Sequence, residues 1–360
     1  MNIRIWKTAL LFLIMLSLVG CKPTSVKPAE SEVPPAPTME IQNTEAPSVT
    51  EIDILEIPLS EPLNVAEAEI SGMDWYGDKL VLLPQFPDRF KEEGLGSLFY
   101  IDQADIIAYI KNPDGNPVSV NRIAFDQSGI QNSLKGFEGY EAIAFYEESF
   151  FITVETKPGV SMKGFVFKGE VKDNLSLMTI LPETFQEIRP QANYPNASDE
   201  AILVFNERVY TFYEDYGKNK NNNPEVHIYD LDLNPVSTIS MPNIEYRFTD
   251  ASQIDSQGNF WAINYFYPGD THLLPSSDPI AEKYGEGRTH LLLEPVERLV
   301  QFQLSDTGII LLDQEPIQFT LLPNDEARNW EGLVALVDYG FLVATDKFPH
   351  TILGFCESLR

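Results

Sequence analysis

Glu141-Ala142-Ile143-Ala144-Phe145, followed after a turn by Ser149-Phe150-Phe151-Ile152-Thr153-Val154 and closed by Glu155, decides the reading of the fold. An acid opens the stretch, and small and apolar residues follow. The second half is β-branched and aromatic and ends on another acid, which is the signature of a strand hairpin with its polar ends together.

The same unit recurs. Glu69-Ile70-Ser71-Gly72-Met73, Glu200-Ala201-Ile202-Leu203-Val204, Asp250-Ala251-Ser252-Gln253-Ile254 and Glu331-Gly332-Leu333-Val334-Ala335 all begin with a carboxylate. Each leads through a turn to a second strand with a polar end. The pairs are Glu69 with Gln85, Glu141 with Glu155, Glu200 with Glu214, Asp250 with Asn264 and Glu331 with Asp346, 14 to 16 residues apart.

Heads follow one another at 72, 59, 50 and 81 residues, spacings that suit four-stranded propeller blades with loops. Long amphipathic patterns are missing, and radial repetition of small sheets protects the edges of an all-β chain. The fold predicted is therefore an all-β β-propeller with five visible blades and room for a sixth between Leu291 and Phe319. The stretch from Tyr267 to His290, with Pro268-Gly269-Asp270 and Pro275-Ser276-Ser277-Asp278-Pro279, reads as an inserted loop.

If the first strand of each blade lines the channel, the repeated acids form a ring at one mouth. Like charges so close repel unless water, protons or a cation intervene. The expected metal ligands are Glu69, Glu141, Glu155, Glu200, Glu214, Asp250, Glu331 and Asp346. Hard oxygen ligands suit calcium better than zinc or copper. The competing reading is that these acids cap turns or bind backbone amides where blades meet. Glu141 with Glu155, or Glu331 with Asp346, also has the makings of an acid/base pair of the glycosidase kind.

Residues 1–20 read as a lipoprotein signal peptide: Arg4 and Lys7 precede a short apolar run from Ala9 to Val19, too short to span a bilayer. Leu18-Val19-Gly20-Cys21 looks like a lipobox, so covalent lipid on Cys21 is expected. Prolines and polar residues make 21–52 a flexible leash, leaving 53–360 for the propeller. The expected location is the extracytoplasmic side of a bacterial membrane, with the lipid bilayer as partner through the acyl anchor. A monomer is expected.

The formal charge of -29 argues against nucleic acid and against an anionic membrane surface. With Cys21 lipidated, only Cys356 remains, which excludes an internal disulfide and a cysteine-rich metal site. No G-x-S-x-G elbow and no H-E-x-x-H occurs. His227, His272, His290 and His350 form no metal spacing, although His350 follows Asp346 by four residues. Lys218 to Asn223 reads as a polar loop tip.

Asn329-Trp330-Glu331-Gly332-Leu333, then Gly340-Phe341-Leu342-Val343-Ala344-Thr345-Asp346, then Thr351-Ile352-Leu353-Gly354-Phe355, resembles the closing blade of the phytase-like esterase propellers. Glu69-Ile70-Ser71-Gly72 is similar to propellers of the SdiA-regulated-like group. The matching segments lie within residues 65 to 356 but are not continuous. The resemblance implies a calcium-bearing propeller with ester or phosphoester hydrolysis at the channel mouth. The chain departs from that pattern in basic residues: only Lys347 and Arg89 lie near a strand end. The alternative function is a non-catalytic propeller that binds a peptide, a glycan or an envelope protein.

Overall fold

A computed structural model describes residues 49–358, except 114, 193–196 and 306. The expected signal peptide, Cys21 and the leash up to residue 48 lie outside the described residues.

Two short strands come first, β1 (Glu51–Ile52) and β2 (Leu55–Glu56). Five blades follow. Blade 1 holds β3 (Ile70–Tyr76), β4 (Lys79–Pro84), β5 (Gly96–Asp102) and β6 (Asn121–Asp126). Blade 2 holds β7 (Phe137–Tyr146), β8 (Ser149–Thr156), β9 (Lys163–Lys172) and β10 (Leu177–Ile180), with β11 (Gln186–Ile188) added beside β9. Blade 3 is β12 (Asp199–Phe205), β13 (Arg208–Tyr213), β14 (Glu225–Tyr229) and β15 (Pro235–Ser240).

Blade 4 is β16 (Arg247–Ala251), β17 (Asn259–Phe266), β18 (Val296–Ser305) and β19 (Gly308–Leu311), with β20 (Ile317–Phe319) beside β18. The segment in which a sixth blade had room therefore supplies the outer strands of the fourth, and the propeller has five blades. Blade 5 is β21 (Trp330–Leu336), β22 (Gly340–Thr345) and β23 (Leu353–Glu357).

The innermost strands β3, β7, β12, β16 and β21 touch in cyclic order, and β21 meets β3 to close the ring. Closure uses the front of the chain. β2 pairs antiparallel with β23, Leu55 opposite Phe355, and so gives blade 5 its fourth strand. β1 pairs parallel with β20, Glu51 opposite Gln318. Glu51 and Ile52, expected in the leash, are thus built into blade 4.

Blades stack face to face, so their strands are buried on both sides and read as nearly continuous apolar runs. In β8, Phe150, Ile152 and Val154 pack towards blade 1 with Val81, Leu83 and Ile123. Phe151, between them, packs towards blade 3 with Ile202 and Val209. β22 divides in the same way: Phe341 and Val343 join the core with blade 4, and Leu342 and Ala344 the core with blade 1.

Every innermost strand carries an extra residue near its start, and β7 has a further slip between Phe137 and Gly139. Pairing slips between Ile70 and Gly72, Tyr140 and Ile143, Asp199 and Ala201, Phe248 and Ala251, and Trp330 and Gly332. Such a bulge re-aims one side chain out of the ladder. Pairing on the outer side of each bulge makes Ser71, Glu141, Glu200, Thr249 and Glu331 equivalent. This register places the site.

Candidate active site at the channel mouth

In blades 1 and 4 the bulge residue is a small hydroxyl, and it is spent on the fold. Ser71 Oγ donates to the Tyr140 carbonyl at 2.6 Å, and Thr249 Oγ1 to the Trp330 carbonyl at 2.6 Å. Each ties its blade to the next. In blades 2, 3 and 5 the same position is Glu141, Glu200 and Glu331, and all three line a cavity of about 740 Å3 at the mouth. Glu155 lines it as well. Asp346, at the end of β22, joins the group through Asn329, whose Nδ2 donates to Glu331 Oε1 at 2.5 Å and to Asp346 Oδ2 at 3.5 Å. Gln85 Nε2 donates to Glu141 Oε1 at 3.2 Å.

Five of the eight expected acids therefore come together: Glu141, Glu155, Glu200, Glu331 and Asp346. The other three are engaged elsewhere. Glu69 is ion-paired with Arg89 and with Lys347, the latter at 3.2 Å. The two basic residues expected near the mouth thus neutralise Glu69. Asp250 lies one residue beyond the Glu position, where it accepts from the Ala251 amide at 2.8 Å and the Leu333 amide at 2.7 Å. It is a blade-junction residue, as the competing reading had it. Glu214 pairs with Arg247. Asn264 is likewise structural: Nδ2 donates to the Glu245 carbonyl at 2.7 Å, and Oδ1 accepts from Arg298 Nε at 2.8 Å.

Arg247 escaped the sequence reading. It opens β16 opposite Tyr265, in the register position that Glu69 occupies in blade 1. Its guanidinium grips Asp270 Oδ2 from Nε at 3.1 Å and Nη2 at 2.9 Å, and it lines the cavity. Aligning blade 4 one residue earlier, on Thr249, would have shown it. Asp250 hid that register by being a carboxylate.

Burial and mutual repulsion hold the acids protonated beyond their usual range. Burial, then Glu155, Glu200 and Asp346, push Glu141 well up. Burial, then Asp346, Glu200 and Glu141, do the same to Glu331. Burial and the charge of Glu200 bring Glu155 to about 8. Glu200 reaches about 7 through burial, tempered by Arg247, and Asp346 about 6 through burial and Glu69. Behind Glu200, burial raises Asp199 to about 7. At neutral pH the mouth holds protonated and ionised carboxyls side by side.

The donor chemistry of the mouth, all acid oxygens, suits calcium. Among the described residues, however, no three His, Cys, Asp or Glu side chains converge on one point as ligands. Arg247 already provides positive charge among them.

No protein-family model and no curated protein matches the chain. Among solved structures, a putative glycoside hydrolase from Parabacteroides distasonis is similar over 90% of this chain and 96% of its own, at 11% identity and a TM-score of 0.46. A GH43_1 enzyme from Xanthomonas citri is similar over 85% and 91%, at 8% identity and a TM-score of 0.47. An α-L-arabinofuranosidase from Lactobacillus brevis is similar over 84% and 94%, at 8% identity and a TM-score of 0.43. Likeness at this level carries no argument about activity.

Proposed function

We propose that the protein is a hydrolase using carboxyl acid–base chemistry at the channel mouth, with a glycosidic bond as its target. The observation that carries this is the meeting of Glu141, Glu155, Glu200 and Glu331, acids from three blades, around one cavity, with Asp346 joined to Glu331 through Asn329. Glycoside hydrolysis needs one carboxyl that keeps its proton to give to the leaving oxygen and one that stays ionised. Unequal surroundings separate such roles here: burial and neighbouring acids push Glu141 and Glu331 well above the usual carboxyl range, while Glu200, raised by burial but held to about 7 by Arg247, is partly ionised at neutral pH. The glutamates line the cavity and are the groups that would meet substrate, whereas Asp346 adjoins Glu331 through Asn329 and sets its charge.

A phosphoester asks for the opposite field. The cation lining the cavity, Arg247, is already paired with Glu214 and Asp270. The ester and phosphoester readings would need added positive charge, and the crowded acids favour calcium as its source. The leader and Cys21 support export and lipid anchoring, which remain part of the proposal.

Screening the full chain on aryl glycosides, aryl phosphates and aryl esters, with and without calcium, tests the reading. Glycoside turnover that Glu141→Gln and Glu331→Gln abolish without unfolding is expected. Turnover of phosphates or esters alone, dependent on calcium, would favour the metal-assisted reading. A folded protein inert to all three is a binding scaffold.

A further inference from the structure

Two leucines stand in solvent beside the point where the chain enters the fold. Leu291 is 58% exposed and Leu292 77%, neighbours on one turn between β17 and β18. A single exposed leucine is ordinary, but an adjacent pair at this exposure fits an apolar partner.

The turn is held firmly. Glu51 accepts from the Thr289 and His290 amides. The Leu291 amide donates to the Gly287 carbonyl, and the Leu292 and Leu293 amides to that of Thr289, all at 3.0 Å. The leucines can therefore enter an apolar medium without carrying unpaired N–H groups into it. Arg288, exposed and without an ion pair among the described residues, precedes Thr289 and offers its donor fork to phosphate at the edge of such a medium.

What covers the leucines follows from where the chain comes from. Glu51 lies 30 residues after Cys21, the expected site of the lipid. A proline-rich tether of that length spans at most about 90 Å, so acylation keeps this face at high effective concentration beside a bilayer. Even a weak contact is then populated. The turn also belongs to the mouth side of the propeller. Tyr267 and Asp270, on the same connection, line the cavity, and the Glu294 amide donates at 2.9 Å to Asp325, another lining residue.

We propose, resting on the lipid-anchor reading, that Leu291 and Leu292 insert into the outer part of the bilayer that holds acylated Cys21, and so hold the channel mouth at the membrane surface. The net charge of -29 opposes an anionic surface, so docking prefers a neutral bilayer and weakens as anionic lipid is added. The cavity then meets material at the membrane rather than a leash-length away.

Acylated full chains carrying Leu292→Cys, or Val337→Cys as the control, labelled with the environment-sensitive dye NBD and reconstituted in phosphatidylcholine vesicles, test this. Cys356 is fully buried and stays unlabelled. Val337, 75% exposed in the β21–β22 turn, lies at the end of blade 5 away from the mouth. Emission at 292 should rise several-fold and be quenched by lipid spin-labelled on its acyl chain, while emission at 337 does neither. Adding Leu291→Asp, or replacing part of the lipid by phosphatidylglycerol, should remove most of the rise at 292. A rise that spin-labelled lipid does not quench would mean that protein, the leash or a second copy, covers the leucines, and would overturn the proposal. Equal quenching at 292 and 337 would overturn the choice of face. Chains that float with the vesicles without a rise at 292 would refute the docking and leave the anchor standing, whereas chains that do not float would refute both.

Discussion

The His290 amide donates to Glu51 Oε1 at 3.0 Å, and the His290 ring Nδ1 lies 2.9 Å from the same oxygen. Thr289 adds its amide and its hydroxyl, each at 2.8 Å. Four residues before the strand that closes blade 5, the chain is thus already fastened to blade 4. A protein starting at residue 53 loses β1 and this clasp, and it should melt several degrees below one starting at residue 45. Hydrogen bonds to a charged group contribute about 1.5–3 kcal/mol, and a domain this large shifts by about 2–4 °C per kcal/mol. Coincident melting curves would show that the clasp contributes nothing.

The clustered acids set a pH dependence whose sign follows from their burial. Glu155 near 8 and Glu200 near 7 keep protons when folded that the unfolded chain gives up near pH 4. Their contribution to stability is full below that point and is lost as pH rises towards 8. Glu331→Gln removes one such charge, so it should melt a few degrees above the parent at pH 8 and close to it at pH 5. Equal melting at pH 8 would mean that Glu331 carries no electrostatic strain.

The same residue should be indispensable for turnover. Removing a general acid or base costs about 100- to 10,000-fold in rate. Glu141→Gln and Glu331→Gln should therefore abolish measurable glycoside cleavage while remaining folded, and Asp250→Asn should damage stability first. Full activity in either Gln variant would remove that residue from the chemistry.

Arg247 holds Glu214 and Asp270 by charge, with its side chain only 15% exposed. Breaking a buried pair leaves charge uncompensated, at a cost of about 3–5 kcal/mol. Arg247→Met should lose stability on that scale and raise the pH at which Glu155 and Glu200 ionise, because Arg247 is what holds both down. Arg247→Lys restores charge without the fork that bonds Asp270, and should recover part of the stability. Chemical denaturation and a pH–rate profile read both effects.

Lipid anchoring through Cys21 makes its own prediction. The full chain made in a bacterial host should partition with membranes, and Cys21→Ala should move it to the soluble fraction. An unchanged partition would remove the anchor.

Strand content and blade number were legible because both-face burial forces runs such as Ser149 to Thr156 to be apolar throughout, and each blade repeats the demand. Glu141, Glu200 and Glu331 were legible because the same bulge recurs in each blade. Glu69 and Asp250 were misplaced because a one-residue bulge shifts register without altering the kind of residue seen. Ser71 and Thr249, which occupy the true position, are too common to be noticed.

Alone, the sequence determined an all-β chain of five hairpin repeats with acids at their heads, since periodicity and composition are local properties. The tertiary structure decided which acids share the mouth, that Arg247 stands among them, and that Glu51 closes the domain. Those facts depend on bulge register and on side chains far apart in the chain, such as Glu51 and His290, 239 residues apart, meeting through ring closure. Local pattern carries no record of such meetings.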